Sequence, residues 1–126
     1  MKLLQKHLDK NNLHHAYLIE GSIDTIWPEV LNFAKDMEVT ELKLDTFKID
    51  DARSLKSLET FRATNRKKAF VIYANNFLLE AQNSLLKMFE EPIENTHFFV
   101  ILPDVSGLLD TFVSRFYGTA RRPLFW

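Results

Sequence analysis

A chain of 126 residues, 46% hydrophobic and 26% charged with only three glycines and four prolines, can build one hydrophobic core and is too apolar for disorder, collagen-like repeats or linker arrays. Sixteen basic against 17 acidic residues leave a net charge of −1, so no whole-molecule field draws the chain to nucleic acid, and any basic partner surface is local. The absence of cysteine removes disulfides, thiolate nucleophiles and the usual structural zinc site.

The run Ala16-Tyr17-Leu18-Ile19, closed by Gly21, predicts a first strand. Pro28 and Glu29 then suit the first turn of a helix that buries Val30, Leu31, Phe33, Ala34 and Met37. Residues 46–49 predict a second, short strand, after which Asp50 is placed to cap a helix with Leu55, Leu58 and Phe61 at every third position. Residues 69–73 are continuously apolar and rich in β-formers, as a strand covered on both faces requires, and form the expected central strand. A helix over 78–91 presents Leu78, Ala81, Leu85 and Phe89 to one side and stops at Pro92. Residues 97–102 predict a fourth strand ended by Pro103, and Ser106 can cap a short helix carrying Leu108, Leu109, Phe112 and Val113. Residues 116–120 predict a fifth strand before the tail Arg121-Arg122-Pro123-Leu124-Phe125-Trp126. Strand and helix therefore alternate, which predicts an α/β fold with a mostly parallel five-stranded sheet, helices on both faces, and one domain over 1–126.

An open α/β sheet binds ligands at the carboxyl ends of its strands, and the first loop is the place to look. A phosphate loop of the form G-x-x-x-x-G-K-[ST] needs glycine for close backbone approach, lysine for the β/γ-phosphates and a hydroxyl for magnesium. Counted from Gly21, those three positions hold Ile26, Trp27 and Pro28. The third strand ends Tyr73-Ala74-Asn75-Asn76, with no carboxylate at its tip to hold a metal or polarise water. The expectation is a degenerate phosphate loop, with no cofactor, no metal and no catalytic residue acting in cis.

Several segments resemble the clamp-loader ATPases of bacterial DNA replication, a DNA polymerase III family within the AAA+ class. His15-Ala16-Tyr17-Leu18 with Gly21 looks like that family's first strand and phosphate-loop entry, and Ile49-Asp50-Asp51-Ala52-Arg53-Ser54-Leu55 is similar to its I-D-x-x-R-x-L helix start. The most specific segment is Ala81-Gln82-Asn83-Ser84-Leu85-Leu86-Lys87-Met88-Phe89-Glu90-Glu91-Pro92, close to A-x-N-x-L-L-K-x-L-E-E-P, with Asn95-Thr96-His97-Phe98 matching N-T-x-F. Thr111-Phe112-Val113-Ser114-Arg115-Phe116 resembles T-I-x-S-R-C, with phenylalanine in place of cysteine.

The resemblance implies a three-layer P-loop NTPase-like AAA+ core with strand order 5-1-4-3-2. Asn83, Lys87, Glu90 and Glu91 become residues of its motif helix. Departures are equally informative: the family's cysteine cluster is missing, Leu102 or Pro103 stands where it has a polar sensor, and no lid or collar domain follows Trp126. The family's delta-prime branch lacks a working nucleotide site but keeps the Ser-Arg motif, whose arginine reaches a neighbouring subunit's ATP. Ser114 and Arg115 are the matching residues here, the candidate arginine finger acting in trans. The implied partners are other clamp-loader ATPase subunits, with DNA contacted only indirectly, no membrane partner and a cytoplasmic location. No signal-peptide core lies in residues 1–12, and the longest apolar run, 98–102, is too short to span a bilayer.

Other readings stay open on the residues alone. The chain could be an isolated degenerate P-loop adaptor in which Arg115 pairs with Asp110 or Asp104, or an unconventional nucleotide-binding enzyme. Lys87, Glu90 and Glu91 also suit a solvated helix face. His14 and His15 are adjacent and diverge, and no helical spacing joins His7 or His97 to them in a metal site. Arg66-Lys67-Lys68 and Arg121-Arg122 are short basic clusters suited to phosphates or to solvated turns, and Trp27, Phe125 and Trp126 to an interface or a core.

Overall fold

The computed structural model describes residues 13–59, 66–91 and 93–116. Four strands, β1 (Ala16–Glu20), β2 (Glu38–Phe47), β3 (Lys68–Phe77) and β4 (Thr96–Leu102), alternate with helices α1 (Ile23–Phe33), α2 (Ile49–Glu59), α3 (Leu79–Glu90) and α4 (Asp110–Val113). All three strand pairings are parallel, and the order is β1-β4-β3-β2. Every residue of β4 and the run Ala69–Ala74 of β3 are buried, because each of these strands lies between two others and under helices on both faces.

Two apolar layers enclose the sheet. On one face Tyr17, Ile19, Val71, Tyr73, Phe99 and Ile101 meet Ile26, Trp27 and Val30 of α1. On the other, Leu18, Phe70, Ile72, Phe98 and Val100 meet Leu55 of α2, Leu85 and Phe89 of α3 and Phe112 of α4. The alternation of these residues along each strand is the period of two that sends successive side chains to opposite faces.

The structure corrects the sequence reading at several points. Four strands are present among the described residues, not five in the order 5-1-4-3-2, while the relative order of the first four strands is as expected. Phe116 is buried in a turn after α4, and 117–120 lie outside the described residues. Strand β2 begins eight residues before the predicted 46–49, since an edge strand paired only with β3 mixes charged and apolar residues instead of running apolar. Pro28 sits inside α1, not in its first turn, because the helix starts directly after Ser22. Asp50 does not cap α2; the Asp51 carboxylate accepts the Lys48 N–H at 2.8 Å, one turn back, and so covers a helix-end donor. Leu58 and Leu78 are exposed, and the buried row of α3 is Ala81, Gln82, Leu85, Met88 and Phe89. Helix α4 starts four residues after Ser106, with Leu109 at its N-cap.

At the amino-terminal edge of the sheet, neighbouring strand starts bring His15 and His97 together, and the buried Nε2 of each has no hydrogen-bond partner. Nδ1 of His97 donates to the His14 carbonyl at 2.7 Å, which leaves Nε2 bare in the neutral ring. Burial lowers the pKa of both, helped at His15 by His14 and His97 and at His97 by Lys67, with the His14 bond opposing. A histidine held below its unfolded value near 6.5 stabilises the fold fully above that value, and the contribution is lost as pH falls from about 6.5 through the folded pKa. The urea midpoint is therefore expected to drop between about pH 7.5 and pH 5, and less steeply in His97→Asn, which keeps a donor for the His14 carbonyl. An equal slope in both proteins would remove His97 from the account.

Candidate functional site

Only Gly21 and Ser22 separate β1 from α1. A phosphate loop of the expected form offers several consecutive free N–H groups on a wide turn, and this junction is two residues long. Gly21 donates its N–H to the Leu102 carbonyl at 3.0 Å, so the junction is tied to the end of β4. Ile26 fills the space beside it: a Cβ on Gly21 would lie 2.7 Å from Ile26 Cγ1. Trp27 is buried in the core under α1, with Lys43 of β2 4.8 Å above its ring, and Pro28 is exposed. The Glu20 carboxylate closes the junction from the other side, accepting the Val105 N–H at 3.0 Å. This end of the sheet thus presents a carboxylate and apolar side chains.

At the tip of β3, Asn75 accepts from the Tyr73 hydroxyl at 2.7 Å and donates to Asp45 of β2 at 2.9 Å. The sequence reading missed Asp45, an acid brought to this strand tip by the neighbouring strand. Its carboxylate is engaged in cross-strand bonding. Leu102, one candidate for the sensor position, is buried, and Pro103, the other, is exposed.

Helices α3 and α4 form the second locus. Phe112 and Phe116 are buried against Phe89, with ring centroids 6.1 and 5.1 Å away, and they contact each other at 5.0 Å. Phe89 in turn packs on Phe98 of β4 at 5.1 Å. Since Phe112 and Phe116 are four positions apart and both point inward, Thr111, Ser114 and Arg115 point outward. Arg115 pairs with Glu90 at 3.1 Å, not with Asp110 or Asp104, and the two side chains are 48% and 47% exposed. The Ser114 hydroxyl donates to the Thr111 carbonyl at 2.9 Å.

The motif residues divide between roles. Asn83, Lys87 and Glu91 are exposed, and Lys87, Glu90 and Glu91 line an open groove of about 650 Å³ together with Lys56 and Met88. A second residue that sequence reasoning missed is Gln82, 3% exposed, whose Nε2 donates to the Phe77 carbonyl at 2.9 Å and whose Oε1 accepts the Leu109 N–H at 2.8 Å. Its signal was a polar side chain on the apolar row it shares with Leu85 and Phe89. The first basic cluster is used inside the fold, Arg66 on the Met37 carbonyl and Lys68 on the Leu58 carbonyl. His7, Arg121, Arg122, Phe125 and Trp126 lie outside the described residues. Among the described residues no three histidine or acidic side chains gather as a metal site would require, and no helix is long and apolar enough to cross a membrane.

Comparison with known proteins agrees with this architecture. The DNA polymerase III subunit delta' of Bacillus subtilis (strain 168) is 30% identical over 154 aligned positions, which take in 98% of this chain and 47% of that protein. The alignment is longer than this chain, so the relative carries residues that this chain lacks. A DNA polymerase III gamma subunit-related protein of Thermotoga maritima superposes with a TM-score of 0.67 at 22% identity, over 92% of this chain and 43% of its own, a likeness of fold. The chain therefore spans about half the length of these relatives. A family model described as DNA polymerase III, delta subunit, matches residues 28–120, most of the chain and both halves of the α3–α4 locus, and on that match the chain belongs to this clamp-loader family.

Proposed function

We propose that this chain is one degenerate P-loop domain of a non-catalytic, delta-prime-like clamp-loader subunit in DNA replication. It works by contact with other clamp-loader ATPase subunits, and it touches DNA only indirectly. The observation that carries the reading is a contrast between the two loci. The β1–α1 junction has two residues, Glu20 and a packed Ile26 where a nucleotide's phosphates would sit, while Ser114 and Arg115 are held outward on a buried phenylalanine pair. Residues needed in cis are missing, and the residue suited to act in trans is presented. Arg115 is the proposed arginine finger, donating to a neighbouring subunit's transferring phosphoryl group. The whole is a soluble cytoplasmic assembly on this reading, without metal or cofactor in this domain.

Calorimetry with ATP and magnesium is expected to show no saturable heat up to about millimolar nucleotide, a ΔG° near −4 kcal/mol at most. A micromolar dissociation constant would instead support the enzyme reading. The trans half is tested in the assembled complex, where Arg115→Ala should slow ATP turnover without moving the domain's own melt.

The Arg115–Glu90 pair favours a second reading, an adaptor domain in which Arg115 is only a salt-bridge partner. Half-exposed pairs of this kind contribute about 0 to 1 kcal/mol, too little to require arginine for the fold. Unchanged turnover in Arg115→Ala, with a change in stability no larger than such a pair contributes, would select this second reading.

A further inference from the structure

The segment that carries Arg115 is short. Helix α4 has four residues, too few to hold its own direction, because the first turn of a helix fixes several dihedrals for one hydrogen bond. Its aim is set from outside, by α3, at three points along one side. Gln82 accepts the N–H of Leu109, the N-cap of α4. Phe89 receives Phe112 and Phe116. Glu90 takes Arg115 itself. The Gln82 and Glu90 positions are eight residues apart, about 12 Å along the helix axis.

Of these, Gln82 is the buried polar one, and both ends of its carboxamide are used. The oxygen holds α4 and the nitrogen holds the Phe77 carbonyl at the end of β3, so a single side chain fixes the entry of α4 relative to the sheet. Leu109 N–H is one of the helix-end donors that no intrahelical carbonyl satisfies. An apolar residue at 82 would leave that donor and the Phe77 carbonyl unpaired, and the start of α4 would shift to find other partners. Burial of the phenylalanine rings is not itself directional, and their edge-to-face preference adds little to that burial, so the aromatic cluster limits the rotation of α4 less strictly than a hydrogen bond at its entry does. A planar guanidinium that must reach phosphate oxygens in two-pronged geometry does not tolerate it.

We propose that Gln82 is a positioning residue for Arg115, setting the direction of α4 from which the arginine reaches a neighbouring subunit. This inference rests on the trans role proposed for Arg115, and its test separates the two. The full-length protein containing this chain is reconstituted with its ATPase subunits as wild type, Gln82→Met, Arg115→Ala and the double variant. Steady-state ATP turnover, assembly by gel filtration and urea midpoints are measured for each.

Gln82→Met is expected to lower turnover at saturating ATP about fivefold, with the KM for ATP unchanged and assembly intact. In the Arg115→Ala background the same change should alter turnover less than about twofold, because the group it aims is already gone, while the urea midpoint falls equally in both backgrounds. An equal proportional loss of turnover in both backgrounds, or no loss in either, would overturn the positioning role. If Arg115→Ala itself leaves turnover unchanged, the trans reading fails and this inference with it.

Leu109→Pro removes the same hydrogen bond from the other side. Leu109 has φ −64°, the angle proline prefers, so the N–H is lost without strain at residue 109 itself. This variant should reproduce the kcat loss, and it decides the matter where Gln82→Met does not assemble. Unchanged turnover in Leu109→Pro would contradict the proposal.

Discussion

Phe89→Ala is expected to destabilise the domain by about 3 to 5 kcal/mol, the range for truncating a buried phenylalanine. The ring is 3% exposed and touches Phe98 on the sheet, Phe112 and Phe116 in the α4 segment and His15 at the start of β1. Its removal leaves a cavity lined by four other rings, held by β4, by the α4 segment and by the chain entering β1, which cannot all close on it. Leu85→Ala on the same face should cost about 2 to 5 kcal/mol, and Lys87→Ala, on the exposed face, within about 0.5 kcal/mol. Urea melts check the ranking directly. A costlier Lys87 substitution would mean that α3 faces the other way.

The internal strands and the motif helix were legible in the sequence because burial on both faces leaves an unbroken apolar run. Residues 69–73 and 97–102 therefore read directly as strands. Strand β2 did not, for two reasons. It lies at the edge, where charged residues such as Glu41, Lys43 and Asp45 are exposed, and its apolar residues change faces along its length. Val39 packs on the α1 side, while Leu42, Leu44 and Phe47 pack on the other. Even so, residues 41–46 alternate exposed Glu41, Lys43 and Asp45 with half-buried Leu42, Leu44 and Thr46, a period of two that a search for unbroken apolar runs passes over. The strand order came from the family resemblance, since parallel order depends on crossovers that local patterns do not encode.

The site was half legible. That no lysine follows Gly21 at the motif position and no carboxylate ends β3 itself can be read from residue types, but the Asp45 carboxylate that β2 brings to that tip cannot. The shortness of the β1–α1 junction was hidden because Pro28 suggested a helix start five residues late. An interior proline that cannot donate is tolerated there on the exposed side of α1. Ser114 and Arg115 are proposed on their motif, whereas Glu90 as the arginine's partner depends on the docking of α4 against the end of α3. That distance is tertiary, across 25 residues of chain, and no local pattern predicts it.

The second large effect falls on Arg115, and it distinguishes a side chain used by its own chain from one used by a neighbour. Removing a half-exposed guanidinium from its pair with Glu90 should change the domain's stability by less than about 1 kcal/mol. Removing an arginine finger takes charge stabilisation from a transferring phosphoryl group, an interaction that has been worth about 10³ to 10⁵ in rate elsewhere. Arg115→Ala should therefore lower ATP turnover of the assembled complex by about tenfold or more. Arg115→Lys should recover little, since an ammonium supplies a point charge and not the planar two-pronged contact. Glu90 must release the arginine for this to happen, and a surface pair is weak enough to allow it.

The most direct measurement is ATP turnover of the reconstituted complex carrying Arg115→Ala, taken beside a thermal melt of the same variant. The account predicts turnover reduced about tenfold or more with a nearly unchanged melt. Unchanged turnover would contradict it, whatever the melt, and would leave Arg115 as no more than the surface partner of Glu90.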